Sequence, residues 1–361
     1  MQATITEKAP LLVLRFSAMG DVAMVASVLE ELAAQHPELP IVMVSRPAFA
    51  PFFEAIPTLR FLSIDPKGRH KGLIGLFRLY RELRHYRPGT LADLHDNIRS
   101  RVLSLFFRLA AFMGAIIGRS SIKIRRIDKG RAEKKALTRS KNKILRALEP
   151  TVERYAKVLR QLGYSLTLSH RLCRKARPLR PELATLFSAP CAGYIGISPF
   201  AQHDPKRYAL SKMTEVIDML NKKDYRLFIF GGGASEKAQV AVWEKQFPGL
   251  INLIGQFSLR EELDVMSHLD VMLSMDSSGM HMASLMGVPV VSVWGPTHPY
   301  AGFMGYGQAQ EDAVQANHPD RPNSIYGNRP LLSNGQPVID QIDPEDIVAA
   351  IERRKRNRKE N

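Results

Sequence analysis

Cysteine is nearly missing from this sequence: Cys173 and Cys191 are the two among 361 residues. Two thiols build no disulfide framework and fall short of the Cys/His cluster of a structural zinc site. A reducing, cytoplasmic setting is therefore expected, with neither metal nor cofactor. The basic segment, apolar stretch and cleavage site of a secretory leader are also missing from the start, so no export is expected. Long apolar runs are missing as well. The longest, Leu109 to Gly118, has ten residues between Arg108 and Arg119, against the roughly 20 that a membrane-spanning helix needs. Acidic residues are scarce where basic ones crowd: residues 101–160 hold seventeen Lys/Arg and four Asp/Glu, a net +13 of the chain's +16. Such a stretch suits an anionic partner, and nucleic acid, an anionic membrane surface and a phosphorylated glycolipid all offer closely spaced phosphates.

What is present reads as an ordinary folded chain, 45% apolar and 24% charged, and its length suits two cores rather than one. Apolar strands alternate with helical stretches in the first half: 11–16, a helix from about Val22 to Gln35, 41–45, 61–65, a helix near Leu73 to His85, then 90–95. This alternation implies parallel strands joined by right-handed crossovers. The next helix, 101–119, is apolar around most of its circumference, with Arg101, Ser104, Arg108, Ala115 and Arg119 on one narrow stripe. It suits a packed core or contact with lipid, and the core is the commoner use of so wide a stripe. Around Arg171 to Pro190 three prolines break the pattern, which reads as a connection between domains. A second α/β unit follows, with strands at 193–198, 226–231, 251–255, 271–275 and 288–295. From Pro296 to Pro337 the chain is irregular, and a short helix from Pro344 to about Arg354 leads into a basic tail. The expected domains are 1–175, 176–338 and a C-terminal helix and tail, 339–361.

Four constellations carry chemistry. Ser17–Asp21, SAMGD, follows the first strand, where open parallel sheets bind ligands. Asp21 either caps the next helix or accepts a proton from an attacking hydroxyl, with Met19 and Gly20 in the loop beside it. The dinucleotide fingerprint GxGxxG is missing here. In the loop after the strand 193–198, Lys206 and Arg207 suit a diphosphate, although surface Lys-Arg pairs are usually just solvated. Residues 228–237, FIFGGGASEK, bring Glu236 behind three glycines, either for ribose hydroxyls or as a helix-dipole partner. Last, Asp276, Ser277, Ser278 and Gly279 open a helix whose free N–H groups suit phosphate oxygens, with His281 in its second turn. The plainer reading makes Asp276 or Ser277 a cap and His281 a half-buried helix residue.

Ser17–Val22, the stretch Asn252–Leu263 (similar to a G-x-x-S-L-x-E-L pattern) and Met275–Pro299 together resemble glycosyltransferase family 9, the heptosyltransferases of lipopolysaccharide assembly. The resemblance runs from Leu11 to about Pro330. It implies an α/β GT-B fold, two Rossmann-like domains facing each other across a cleft. It also implies an ADP-heptose donor, inversion at the anomeric carbon and no metal-chelating motif. By that resemblance Asp21 is the general base, Lys206 the diphosphate-binding lysine and Glu236 the ribose-contacting acid. Asp276, Ser277, Ser278 and His281 match the donor-binding loop and helix start. The chain departs from the commoner pattern by having Ser278-Gly279 where relatives have Gly-Pro, and by lacking cysteines in Arg321–Leu332. The implied acceptor is an anionic lipopolysaccharide-core glycolipid at the cytoplasmic face of the inner membrane. Arg69, Lys71, Arg125, Arg126, Lys134 and Lys135 are the candidates for gripping its phosphates. With a base in one domain and the donor site in the other, domain closure is part of the expectation. Three alternatives stay open: a nucleotide-sugar epimerase, a non-catalytic sugar-nucleotide binder, and a basic nucleic-acid-binding protein. The last is disfavoured because no Phe, Tyr or Trp lies between Ile117 and Pro150 to stack on bases.

Overall fold

In a computed structural model, residues 8–116 and 122–359 are described. Along the chain come β1 (Leu11–Leu14), α1 (Met19–Gln35), β2 (Ile41–Ser45), β3 (Leu59–Ser63), α2 (Gly72–Arg84), β4 (Thr90–Asp93), α3 (Ile98–Ile116), β5 (Lys123–Arg126), α4 (Arg131–Leu137) and α5 (Thr151–Leu162). Then follow α6 (Pro181–Ala184), β6 (Gly193–Ser198), α7 (Leu210–Lys222), β7 (Tyr225–Ile229), α8 (Ala234–Gln246), β8 (Ile251–Asn252) and α9 (Leu259–Met266). The chain closes with β9 (Val271–Met275), α10 (Ser278–Leu285), β10 (Val290–Trp294), β11 (Ala313–Gln315), the hairpin β12 (Leu332–Ser333) and β13 (Gln336–Pro337), and α11 (Pro344–Lys359).

These elements form two compact units, one running up to Lys129 together with Thr151–Ser169, the other Gly130–Pro150 with everything from His170. The first is a parallel sheet in the order β3-β2-β1-β4-β5, with all four β1 residues buried, as expected when helices cover both faces. The second is a parallel sheet in the order β11-β10-β9-β6-β7-β8. Each has its own apolar core, around Leu12, Leu14, Val44, Leu79 and Leu103 in the first unit and Ile197, Ile217, Leu227, Trp243 and Leu273 in the second.

Both sheets reverse their strand order once. In the first unit the chain lays β2 and β3 on one side of β1, then returns to place β4 on the other, so the connections leaving β1 and β4 diverge. In the second unit the same happens between β6 and β9. A crevice opens beyond the carboxyl ends of the strands at such a switch point, and open α/β sheets bind ligands there.

The division into units differs from the expected domains: residues 130–150 and 170–175 fall in the second unit, which also takes in the C-terminal helix. Leu137 and Leu148 pack on Ala301, Leu148 N–H donates to the Tyr300 carbonyl at 2.9 Å, and the Lys143 ammonium donates to the Pro322 carbonyl at 3.1 Å. Local tertiary packing, invisible in the sequence pattern, therefore places residues 130–150 with the second unit. The helix expected from Val22 starts at Met19, which puts Met19, Gly20 and Asp21 in its first turn rather than in a loop. The helix expected over 101–119 starts at Ile98; its Arg119 lies outside the described residues, as does the end of the basic tail. Its expected burial holds for one face only, since Leu103 and Phe107 are buried while Leu105, Leu109, Phe112 and Met113 are exposed.

Candidate functional site

At the β1/β4 switch point the chain assembles one charged centre. Arg15, directly after β1, is buried and donates from Nη1 to the Leu94 carbonyl and from Nε to the Ser17 carbonyl, each at 2.8 Å. Its remaining nitrogen meets Asp21 Oδ2 at 2.5 Å. Tyr155, brought in by α5, donates its hydroxyl to Asp21 Oδ1 at 3.4 Å and lies under the Arg15 guanidinium. Asp21 also accepts from the Ala18 N–H at 3.3 Å, half of a capping box, because Ala18 has no side chain to return the bond. The cap reading is thus realised, and the carboxylate, a quarter exposed, still reaches solvent.

His95 stands beside this centre at the end of β4, and sequence reasoning missed it. The Phe16 N–H donates to its Nδ1 at 3.2 Å, which leaves the proton of the neutral ring on Nε2. Burial, helped by the nearby Arg15 and Lys129 charges, pushes the imidazole down to about 3, so the ring is neutral at physiological pH. Next to it Arg126 meets Asp93 at 3.0 Å and Arg101 meets Asp96 at 2.7 Å.

At the β6/β9 switch point the second unit builds another ion-paired centre. Lys206, in a short 3-10 turn, reaches Asp276 at the end of β9, Nζ to Oδ2 2.9 Å, with both side chains largely buried. Arg207 turns away and pairs with the exposed Asp204 at 3.0 Å, so the two neighbouring cations do different things. The aliphatic stem of Lys206 crosses Gly327, whose φ is +74°; a Cβ there would stand 2.2 Å from Lys206 Cδ and 3.3 Å from the Thr297 methyl. Thr297 is buried and its hydroxyl makes no hydrogen bond among the described residues. Its carbonyl accepts from Arg321 at 2.8 Å, and the same guanidinium serves the Trp294, Gly295 and Ala316 carbonyls. Burial draws Arg321 down to about 10, still cationic at neutral pH, and no carboxylate among the described residues pairs with it. A fixed positive charge therefore sits one residue from the Lys206 pocket.

Helix α10 begins at the same crevice. Ser277 occupies the cap position but its hydroxyl caps nothing; it lies 3.4 Å from the Ser274 hydroxyl, so among the described residues the first N–H groups of the helix have no side-chain cap. Gly279 is needed for packing, since a Cβ would stand 2.5 Å from Ser198 Oγ and 2.6 Å from Ser198 Cβ on β6. That contact accounts for a glycine at 279 without any ligand. His281 is buried in the second turn. Glu236 turns back onto the glycine corner, accepting from the Gly232 N–H at 2.7 Å, the local role its position allowed. The stretch Asn252–Leu263 proves to be a helix start: Ser258 and Glu261 form a reciprocal capping box on α9.

The six acceptor candidates do not gather in one place. Arg69 pairs with Glu82 at 2.5 Å and Lys71 precedes α2, while Arg125 and Arg126 lie on the edge strand β5. Lys134 belongs to the other unit, buried with its ammonium 4.5 Å from the Phe303 ring centroid, and Lys135 is exposed beside it.

Comparison with known proteins identifies the family. The family model for glycosyltransferase family 9 (heptosyltransferase) matches residues 77–324. The chain belongs to that family. A curated relative, lipooligosaccharide heptosyltransferase 2 of Haemophilus influenzae, is 23% identical over 297 residues, 80% of this chain and 84% of that protein. Among solved structures, the family 9 glycosyl transferase of Veillonella parvula superposes with a TM-score of 0.71 at 21% identity, covering 97% of this chain and 98% of that one. E. coli ADP-heptose LPS heptosyltransferase II gives 0.66 at 18%, covering 97% and 99%. The family 9 fold is thus the GT-B class, two Rossmann-like units each built on a parallel sheet. Among the described residues, no helix is long and apolar enough to cross a membrane and no cluster of His, Cys, Asp and Glu is arranged to hold a metal.

Proposed function

We propose that this family 9 chain is an inverting heptosyltransferase that moves heptose from ADP-heptose onto an anionic lipopolysaccharide-core acceptor. The observation that carries the reading is the pair of switch points, one holding an oriented carboxylate and the other a largely buried lysine at an open helix start. In the first unit Arg15 and Tyr155 fix the Asp21 carboxylate, which takes the proton of the attacking acceptor hydroxyl. The acceptor oxygen forms its bond to the anomeric carbon from the face opposite the phosphate. The carbon–oxygen bond to phosphate breaks, and the nucleoside diphosphate leaves with the electron pair. Its growing negative charge is met by Lys206, the α10 N–H groups of Ser278 and Gly279, and the Thr297 hydroxyl, with Arg321 adding fixed positive potential. Such groups act more strongly on the departing diphosphate than on the intact donor, which is the condition for catalysis. Because cationic side chains and backbone amides supply this charge, turnover is expected to proceed without a metal ion.

Glu236 and His281 are assigned to the nucleoside side of the donor, and Arg125 and Arg126, neighbours on β5 in the unit that holds Asp21, to acceptor phosphates. The similarity to a lipooligosaccharide heptosyltransferase and to an ADP-heptose LPS heptosyltransferase supports the donor and acceptor classes. The test is ADP release from ADP-heptose in the presence of a heptose-deficient lipopolysaccharide core, with chelator in the buffer. The wild type should turn over, and Asp21→Asn should lose roughly 10²–10⁴-fold in kcat, the usual share of a positioned base. Donor affinity in that variant should stay within about threefold, since Asp21 touches no phosphate in this scheme. No turnover by the wild type with any ADP-sugar would sink the proposal.

A further inference from the structure

Helix α3 is built the wrong way round for a helix that meets only water. Its inner face carries Ser100, Leu103, Ser104 and Phe107, all buried, yet its outer face is apolar as well. Ile98 is 82% exposed and Phe112 70%, and Leu105 and Leu109 continue the same stripe at spacings of seven, four and three residues. Arg101 and Arg108, both exposed, run along one edge of that stripe, and the nineteen residues of α3 contain no Asp or Glu. Helix α2 packs beside it, with the Phe77 and Phe106 rings in edge contact at 5.6 Å. The first turn of α2 adds Ile74, 81% exposed, and Leu73 to the surface, and Arg78, Arg81 and Arg84 follow on its outer side. Scattered exposed apolar residues need no explanation, whereas a contiguous patch with a polar rim marks an interaction surface.

We propose that this α2–α3 face docks the protein on an anionic membrane surface, its apolar side chains entering the headgroup boundary and its arginines pairing with lipid phosphates. Charge selects the occupant. A second copy of this face would set arginine edge against arginine edge in a chain of net charge +16, with Glu82 as the one acidic residue on either helix and already paired to Arg69. An anionic bilayer matches both features at once, apolar depth and basic rim, which is the signature of a helix lying in an interface rather than spanning it. Neither helix is long and apolar enough to cross. The face also lies at a useful end of the unit. Helix α3 starts a few residues after β4, so Ile98 stands at the carboxyl edge of the sheet with His95 and the Asp21 centre. A lipid-anchored substrate lying in that surface would meet the first unit at its switch point. The docking itself does not depend on the transfer reaction.

The experiment is co-sedimentation of the whole protein with vesicles of phosphatidylcholine alone or with about one-third phosphatidylglycerol. The wild type should bind the anionic vesicles, be released by salt, and leave the neutral ones in solution. The double variant Ile74→Glu with Phe112→Glu should lose at least about tenfold in partition while keeping its melting temperature and donor binding, because both side chains leave the core untouched. The Ile74→Leu variant should bind like the wild type. Phe112→Trp supplies a reading that needs no disruptive change: its fluorescence should shift to the blue with anionic vesicles and stay put with neutral ones. Equal binding to both vesicle types, a loss under about twofold in the double variant, or an unshifted fluorescence signal in the Phe112→Trp variant overturns the proposal. So does light scattering that finds a wild-type dimer which the double variant converts to monomer.

Discussion

Lys206 is the most informative side chain to remove. It is 14% exposed, and its partner Asp276, 2.9 Å away, is 8% exposed. Replacing Lys206 by Met keeps most of the stem against Gly327 and deletes the charge. Two effects follow, and they read out separately. The donor loses a charge-assisted contact to its diphosphate, about 1.5–3 kcal/mol, or roughly 10- to 150-fold in Kd. The protein is also left with a buried carboxylate lacking its cation, which costs about 3–5 kcal/mol when a buried pair loses one member. Asp276→Asn removes the other member. It should destabilise the free protein by a comparable amount, yet ADP should bind as well as before or better, since the lysine no longer divides its charge between Asp276 and phosphate. Calorimetric titration of ADP and thermal melts with and without ADP give the four numbers. The ADP-induced rise in Tm should shrink in Lys206→Met and grow in Asp276→Asn, because a ligand stabilises in proportion to its affinity for the folded form. If Lys206→Met binds ADP within about twofold of the wild type, or if both variants lose ADP equally, the pair is only a structural ion pair and the phosphate assignment fails.

Two further outcomes test the packing of the second unit. Gly279→Ala forces a methyl to within 2.5 Å of Ser198 Oγ, so unfolding by urea should show a loss of about 1–3 kcal/mol. Ser198→Gly on the same background should restore most of it, and a single variant as stable as the wild type would refute the close approach. Glu262 is pushed up from 4.5 to about 7 by burial alone. Its protonated form is favoured by folding, so the stability it permits is full below pH 4.5 and is lost as pH rises through 7. Glu262→Gln should therefore be more stable than the wild type by up to about 3 kcal/mol at pH 8 and nearly equal to it at pH 4. A gap that does not change with pH would show the carboxyl to be solvated.

The sequence reports what depends on neighbours along the chain and hides what depends on packing. Strands β2, β6 and β9 are legible to the residue because each is a short apolar run bounded by breakers. Strand β5 is not, since Lys123–Arg126 has one buried residue, Ile124, among three charged ones at a sheet edge. Helix α5 hides behind its basic residues, although Val152, Tyr155, Ala156, Leu159 and Leu162 give it a buried face. The same division runs through the sites. Asp21, Lys206 and Asp276 are visible because each lies just beyond a strand end, where a ligand is expected. Arg15 and Tyr155 are invisible as partners of Asp21, because one reads as part of the strand 11–16 and the other arrives 134 residues later. Gly327 and Arg321, which shape the Lys206 pocket, sit in a stretch with no period to read.

The two switch points share one topology, and they differ in which member of the ion pair is held. In the first, Arg15 spends two of its nitrogens on the Leu94 and Ser17 carbonyls, so the guanidinium is fixed and orients the more exposed Asp21. In the second, the lysine stem is held by the Gly327 backbone and its charge is shared with the buried Asp276. A desolvated pair contributes little net stability, because the cost of drying two charges offsets their attraction. What it does supply is a defined position for the group that faces the ligand. Asp21→Lys in the first unit would place a second cation beside Arg15. Local unfolding of the α1 start would be expected rather than a second phosphate site. The chemistry at each crevice is therefore set by the held partner, Arg15 in one sheet and the Gly327 backbone with Asp276 in the other, and not by the Rossmann-like frame they share.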